Sequence, residues 1–290
     1  MGYVNLGITL LYGAGAYIFG IEYYVLHATS IDAFLIAAVL SAFLGLLESF
    51  PLFRLKGFYF AVATLALVPL GQFIVQAPNY ERWTGGIGGI NGLPVGYLSG
   101  YYTIFLFALF TVCLVYFIAI SRLGLALTSI REDEEIAESA GINTRLIKRI
   151  AMIISATLAG CAGALFALTQ GTLLPQNIFS LSFAFIPVTF ALFGGTGTII
   201  GPVIGTAVYS ALDGYIHSPS VTFNPSLAWL QNYEFTIVGF FLIIVGLFAP
   251  DGILGLARRG YLRIRRSRRL SRNPVKSSST TSTPAIPTKA

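Results

Sequence analysis

Four carboxylates, Glu22, Glu48, Asp213 and Glu234, stand within or beside long apolar runs of this chain. A carboxylate in hydrocarbon is costly, so each demands an explanation, an interfacial position first and a place on a solute pathway second. Glu22, Asp213 and Glu234 fall near the ends of their runs, where an interfacial position accounts for them. Glu48 lies about one turn from an end, within reach of Arg54 or Lys56. Of the four, Glu22 is best placed to meet the ammonium of a carried zwitterion. No catalytic spacing accompanies them. His27 and His217 stand alone, no HExxH, CxxC or GxSxG occurs, and the absence of GxxxxGK[ST] leaves no P-loop to hold ATP. Cys113 and Cys161 lie inside apolar runs as small packing residues, so neither a disulfide nor a metal is expected, and no cofactor is assigned to the chain.

Backbone breakers are a second set of candidates. Pro69 and Pro187 are expected to interrupt spans, and Gly194, Gly195 and Gly197 begin a break that extends to Gly205. Irregular backbone at membrane depth survives only where protein or a water-filled cavity covers it, which makes these positions candidates for a pathway or gate. Tight helix packing through small residues such as Gly160 and Gly163 is the competing reading of the glycines.

The elements that would position such residues are membrane spans. Hydrophobic residues make up 55% of the 290, charged residues only 10%, and the mean hydropathy is +0.76. Ordinary globular domains carry about a quarter charged residues. The start, MGYVNLGITL, has neither the basic region nor the cleavage site of a secretory signal, and Leu6 stands where myristoylation needs Ser or Thr. The apolar segments are Leu6–Leu26, Ala33–Phe53, Phe58–Val75, Tyr101–Ile120, Ile150–Gly171, Leu181–Phe193, Ile199–Leu212 and Tyr233–Phe248, eight in all. The 181–212 pair is short for a layer about 30 Å thick, leaving tilted crossings, a re-entrant element or a covered hairpin open. The fold class is therefore all-α, a polytopic transmembrane bundle of about eight segments over residues 1–256. Residues 257–290 form a tail, with eight arginines in Arg258–Arg272 and then a Ser/Thr/Pro-rich stretch expected to be disordered. Beside a span, the arginine run suits anionic headgroups of the lipid bilayer rather than nucleic acid. The glycines of Gly85–Gly89 read as a flexible outer loop rather than a phosphate cradle.

One charged stretch interrupts the apolar pattern. Ser121–Arg149 holds ten of the thirty charged residues. Ser129 with Glu132 reads as a capping box, and Gly141 followed by Ile142 as a Schellman stop, which predicts a helix over Ile130–Ala140 of roughly 16 Å. Asn143 or Thr144 then caps the next helix. Placing this stretch in the cytoplasm puts Arg54, Lys56, its own five basic residues and the ten of the tail on one side, with Arg82 alone outside. Both termini are then cytoplasmic.

Six stretches now resemble, in order, one family of transport proteins. GYVNLGITLLYGAGAY (2–17), RLKGFYFAVATLAL (54–67), the loop Thr84–Pro94, the charged stretch running into GCAGALFA (124–167), the Gly194–Gly205 turn and Phe248–Leu256 are similar to segments of the branched-chain amino acid permeases of ATP-binding cassette importers, the LivM-like half. The resemblance implies a permease subunit without enzymatic activity of its own, in the cell membrane. LivG/LivF-like ATP-binding subunits would drive it, a LivH-like permease would pair with it, and an external binding protein would deliver the solute. Glu135, Ile136, Ala137 and Gly141 match the EAAxxxG pattern of the family's coupling helix, which docks in the ATPase. Two departures stand out. Family members usually carry one or two further spans before the equivalent of Gly2, and Ile8 replaces the His of the SLGHAAF motif. The alternatives are a related cargo (urea, short amides, other amino acids), an ion-coupled carrier acting alone, or a membrane scaffold that transports nothing.

Overall fold

The computed structural model describes residues 2–93, 97–195 and 198–216. The expected span Tyr233–Phe248, Glu234, Gly197 and the 257–290 tail lie outside the described residues, as does the side chain of Asp213. The chain divides into two compact units, Met1–Ala191 and Leu192–Ala290.

The first unit is a helical bundle. Helix α1 (Ile8–Gly20) passes into a π-helical turn, Ile21–Val25. There follow α2 (Ser30–Leu52), α3 (Phe58–Gln76), a short α4 (Glu81–Thr84), a two-residue strand β1 (Ile90–Asn91) and α5 (Tyr97–Ile120). Then come α6 (Arg122–Glu132), α7 (Glu134–Ser139), α8 (Thr144–Ala167), β2 (Thr172–Leu173), α9 (Pro175–Ile178) and α10 (Leu181–Gly194), whose last turn enters the second unit. Helix α11 (Ile200–Ile216) belongs to that second unit.

Four of these helices are long and apolar enough to cross a membrane: Ser30–Leu52, Phe58–Gln76, Gly100–Ile120 and Thr144–Ala167. Helices α10 and α11, with 14 and 17 residues, extend roughly 21 and 26 Å. Pro69 and Pro187 do not break their spans: α3 runs unbroken through Pro69, and α10 through Pro187. Each proline withholds one i→i−4 bond, but in both cases the remaining ladder carries the helix on.

A four-residue rhythm holds the bundle together. Helix α8 buries Thr144, Lys148, Met152, Ala156, Gly160 and Ala164, and α2 buries Ala33, Ala37, Ser41, Gly45 and Ser49. Rows spaced by four form ridges that run along one face, and small residues in them let backbones approach closely. A Cβ on Gly160 would strike Ser41, and one on Gly45 would strike Ala156. On its other side α8 meets α1: a Cβ on Gly15 would overlap the Gly160 backbone, and one on Gly163 the Tyr12 carbonyl. The glycines here serve packing. Helix α5, by contrast, has no fully buried residue over Tyr101–Ile120 among the described residues, only a partly covered face toward α8.

At one end of the bundle the Gly-rich loop is folded. The Thr84 hydroxyl donates toward the carbonyls of Val75 (2.6 Å) and Tyr80 (3.0 Å) and accepts from the Gly86 amide (3.2 Å). Strand β1 pairs antiparallel with β2, Ile90 opposite Leu173, and Tyr17 donates to the Leu173 carbonyl at 2.8 Å. The flexible loop expected here is instead fastened to the connection after α8, because Thr84 and the strand pair satisfy its backbone.

Candidate functional site

The opposite end carries the charged stretch, and its local structure differs from the expected one. Ser129 does not cap a helix. Its hydroxyl bonds back to the Leu125 carbonyl (3.2 Å) inside α6, which begins at the Ser121 cap and runs to Glu132. The chain breaks at Asp133, which is extended (φ −158°, ψ 118°), and its carboxylate accepts from the amides of Glu135 (2.9 Å) and Ile136 (3.0 Å). So the single helix expected over Ile130–Ala140 is two, and the exposed element is α7, six residues and roughly 9 Å long. Aspartate prevails because its carboxylate reaches two free amides at the positive end of a helix.

The stop is as read. Gly141 has φ +85°, its amide donates to the Glu138 carbonyl (2.9 Å), and the Ile142 amide donates to the Ala137 carbonyl (3.1 Å). This pair of bonds is the Schellman arrangement, and the left-handed position favours glycine. Asn143, rather than Thr144, caps α8 by accepting from the Leu146 amide at 3.1 Å.

Two rungs fasten α7 to α8. Glu134 and Glu138, four apart on α7, share one face. The Glu134 carboxylate pairs with Lys148 Nζ at 2.6 Å, and the Glu138 carboxylate accepts from the Thr144 hydroxyl at 2.6 Å. Lys148 and Thr144 are likewise four apart, on α8. The first rung reaches further, since Tyr3 donates to the second Glu134 oxygen (3.0 Å) and Lys148 donates to the Tyr3 hydroxyl (3.4 Å). Lys148 is only 2% exposed, its ammonium 5.1 Å from the Tyr3 ring centre and 5.6 Å from that of Phe53. Phe60 stacks on Phe53 and meets Tyr3 edge-on. Burial pushes the Glu134 carboxyl up, but the hydrogen bonds from Lys148 and Tyr3 and the charges of Lys148 and Lys56 outweigh it, holding it below the usual range. Burial raises the Tyr3 phenol, which stays a donor.

Among the described residues, one face of α7 stays open to solvent. Glu135 is exposed and Ile136 is 68% exposed, while Ala137 turns inward at 3%. Glu135 and Ile136 therefore sit side by side on the accessible part of a capped, tethered helix. Of the family-pattern residues, then, Glu135 and Ile136 face out, Ala137 packs and Gly141 ends the helix. Tyr3, Glu134 and Lys148, which do the tethering, carry no local signal of it. A lysine one turn into a helix sits against the dipole and needs an anion, but the sequence does not say which.

The pathway candidates are spread over separate elements. Glu22 lies in the π-helical turn that continues α1, at the end remote from α7, and is partly buried. Pro69 is mid-α3 and Pro187 mid-α10. In the second unit Gly194 ends α10 against Gly201, where a Cβ would strike the Gly201 carbonyl, and Gly195 has φ +114°. The Thr198 hydroxyl closes this turn, donating to the Gly195 carbonyl and accepting from the Gly201 amide, both at 3.1 Å.

Apolar helices of spanning length, joined at one end by a charged, tethered helix, define a multi-pass helical membrane protein. Residues 1–246 match the family described as branched-chain amino acid transport system / permease component, and the chain belongs to it. It is 27% identical over 292 residues to the high-affinity branched-chain amino acid transport system permease protein LivM of Escherichia coli (strain K12), across 89% of this chain and 65% of that protein. The LivH permease of Salmonella typhimurium is 32% identical over 143 residues, 49% of this chain and 42% of that protein. The BraD permease of Pseudomonas aeruginosa is 28% identical over 166 residues, 57% and 50% respectively. The chain thus spans less than two thirds of the length of its LivM relative. No solved structure matches it.

Proposed function

We propose that the chain is one membrane subunit of an ATP-driven importer for branched-chain amino acids, and that α7 is the element through which ATP hydrolysis moves it. The observation that carries this is the pair of rungs, Glu134 to Lys148 and Glu138 to Thr144, behind an exposed Glu135 and Ile136. A free loop would absorb a push, whereas α7 passes it to α8. The small-residue ridges of α8 pass it on to α1 and α2. The sequence carries no GxxxxGK[ST] motif, and in this reading two LivG/LivF-like subunits supply the motion from the cytoplasm. An external binding protein supplies the solute, and a LivH-like permease shares the cavity. The family, with its relatives named for branched-chain amino acid transport, supports this cargo.

In this reading the α7 end is cytoplasmic. The clustering of Arg54, Lys56, Arg145, Lys148 and Arg149 there, with Arg82 on α4, which adjoins the β1–β2 end, supports it. The chain crosses the cell membrane eight times with both termini inside. Glu22 at the outer mouth meets the solute ammonium. The test is reconstitution of the chain in proteoliposomes with and without its candidate ATPase, permease and binding-protein partners. ATP-dependent leucine uptake only in the complete set is expected. Uptake by this chain alone would make it an ion-coupled carrier and overturn the proposal.

A further inference from the structure

The α7 end also holds a cavity of about 500 Å³ between the last turn of α2, the α2–α3 connection and the starts of α7 and α8. Its walls carry Arg54, Lys56, Arg145 and Arg149 besides the Lys148–Glu134 pair. Among the described residues none of these four cations makes an ion pair; Arg149 lies over the Phe50 ring at 4.5 Å, and its N–H donors are committed to no carboxylate. Facing them are the carboxylates of Glu135 and Glu138, the latter already accepting from Thr144. With Lys148 and Glu134 cancelling, the cavity keeps an excess of positive charge.

Its depth is as telling as its charge. Helix α2 has 23 residues, roughly 34 Å, enough to cross the hydrocarbon, so its last turn lies at the level of the headgroups. From Phe50 in the cavity wall, Leu47 and Phe43 lead on toward the bilayer centre at spacings of three and four, all three at least half exposed, an apolar stripe down one face of α2. Four unpaired cations at headgroup depth above such a stripe match an amphiphile with a phosphate at its head.

We propose that this cavity seats the phosphate of an anionic phospholipid of the leaflet on the α7 side, with Arg54, Lys56, Arg145 and Arg149 around the headgroup and an acyl chain along Phe43, Leu47 and Phe50. Arginine forks suit phosphate oxygens, and basic pockets at span ends take such headgroups. The lipid bridges α2 and the α7–α8 hairpin. The inference needs α2 and α8 to cross the membrane but not α7 to be a coupling helix, so either reading can fail alone.

The experiment labels the full-length chain, purified and returned to vesicles, with photoactivatable phosphatidylglycerol or phosphatidylcholine of equal chain length, and maps the adducts by peptide. Adducts from the glycerol lipid are expected on residues 43–56 and 145–149, and should exceed those from the choline lipid. Each lost cation near a membrane surface weakens binding about fivefold, so Arg54→Gln with Arg145→Gln should cut these adducts roughly 25-fold. Labelling of the 258–272 arginines should not change, and the exposed Arg122→Gln is the neutral comparison. Both altered residues are exposed, so the fold is not at stake. Undiminished labelling in the double variant, equal labelling by the choline lipid, or displacement by millimolar inorganic phosphate would each overturn the proposal, as would loss of the adducts when an ATPase partner occupies the cavity.

Discussion

Removing the Glu134 carboxylate isolates the tether from everything else. Glu134→Ala leaves Lys148, 2% exposed, with only the Tyr3 hydroxyl at 3.4 Å and two ring faces. Breaking a buried pair from one side costs about 3–5 kcal/mol. The Glu134 side chain keeps 23% of its surface in solvent, so water shares the loss and about 2 kcal/mol is expected. That is roughly a thirtyfold shift in the equilibrium by which α7 lifts off α8. Hydrogen exchange of the 134–141 amides in the purified chain reads this directly, with exchange expected to quicken about thirtyfold. Adding Lys148→Met removes the stranded charge and fills the aromatic recess, so the double variant should recover to within about fivefold of the native rate. Equal exchange in the single and double variants would show no coupling between the two residues and refute the tether. The pH dependence has a definite sign. Because the folded Glu134 pKa is depressed from 4.5, the ion pair contributes fully above that value and is lost as pH falls below it.

Further outcomes follow from the same geometry. Asp133→Ala should cost about 1 kcal/mol of α7 order in the same exchange measurement, whereas Ser129→Ala should change it by little, since Asp133 is the cap. Gly141→Ala meets no atom within 4 Å but must hold φ +85°, so it should also cost about 1 kcal/mol. Gly163→Leu should collapse the detergent-solubilised chain, seen as a large fall in melting temperature, because its Cβ overlaps the Tyr12 carbonyl; Gly88→Ala, with open space around it, should not. In the assembled importer, Glu135→Arg or Gly141→Pro should abolish uptake while membrane insertion, followed by fractionation, stays intact.

What could be read beforehand was what repeats or caps. Apolar runs locate α1, α2, α3, α5, α8, α10 and α11 to within about six residues at each boundary, and Gly141 with Ile142 announces its own stop, whereas the short α4, α6 and α9 have no such signal. The rhythm of Ala33, Ala37, Ser41, Gly45 and Ser49 was equally present, but small residues inside an apolar run look like any others until a partner ridge is known. The start of α7 is not legible because Ser129 and Asp133 are both good caps, and the residues between them, Ile130 to Glu132, do not rank the two. Tyr3, Glu134 and Lys148 meet across 131 and 145 residues of chain, a pairing that only the packing of α1 beside α8 creates. Pro69 and Pro187 look like breaks in the sequence but are none, because one missing bond each does not halt a helix held by its neighbours.

The most direct measurement is disulfide or maleimide cross-linking from Ile136→Cys in membranes holding the assembled importer. The account predicts that the exposed thiol at 136 is reached only from the cytoplasmic side, joins an ATP-hydrolysing subunit, and does so in a nucleotide-dependent manner. A thiol labelled from outside by an impermeant reagent, or one that joins no such subunit under any nucleotide, would contradict it.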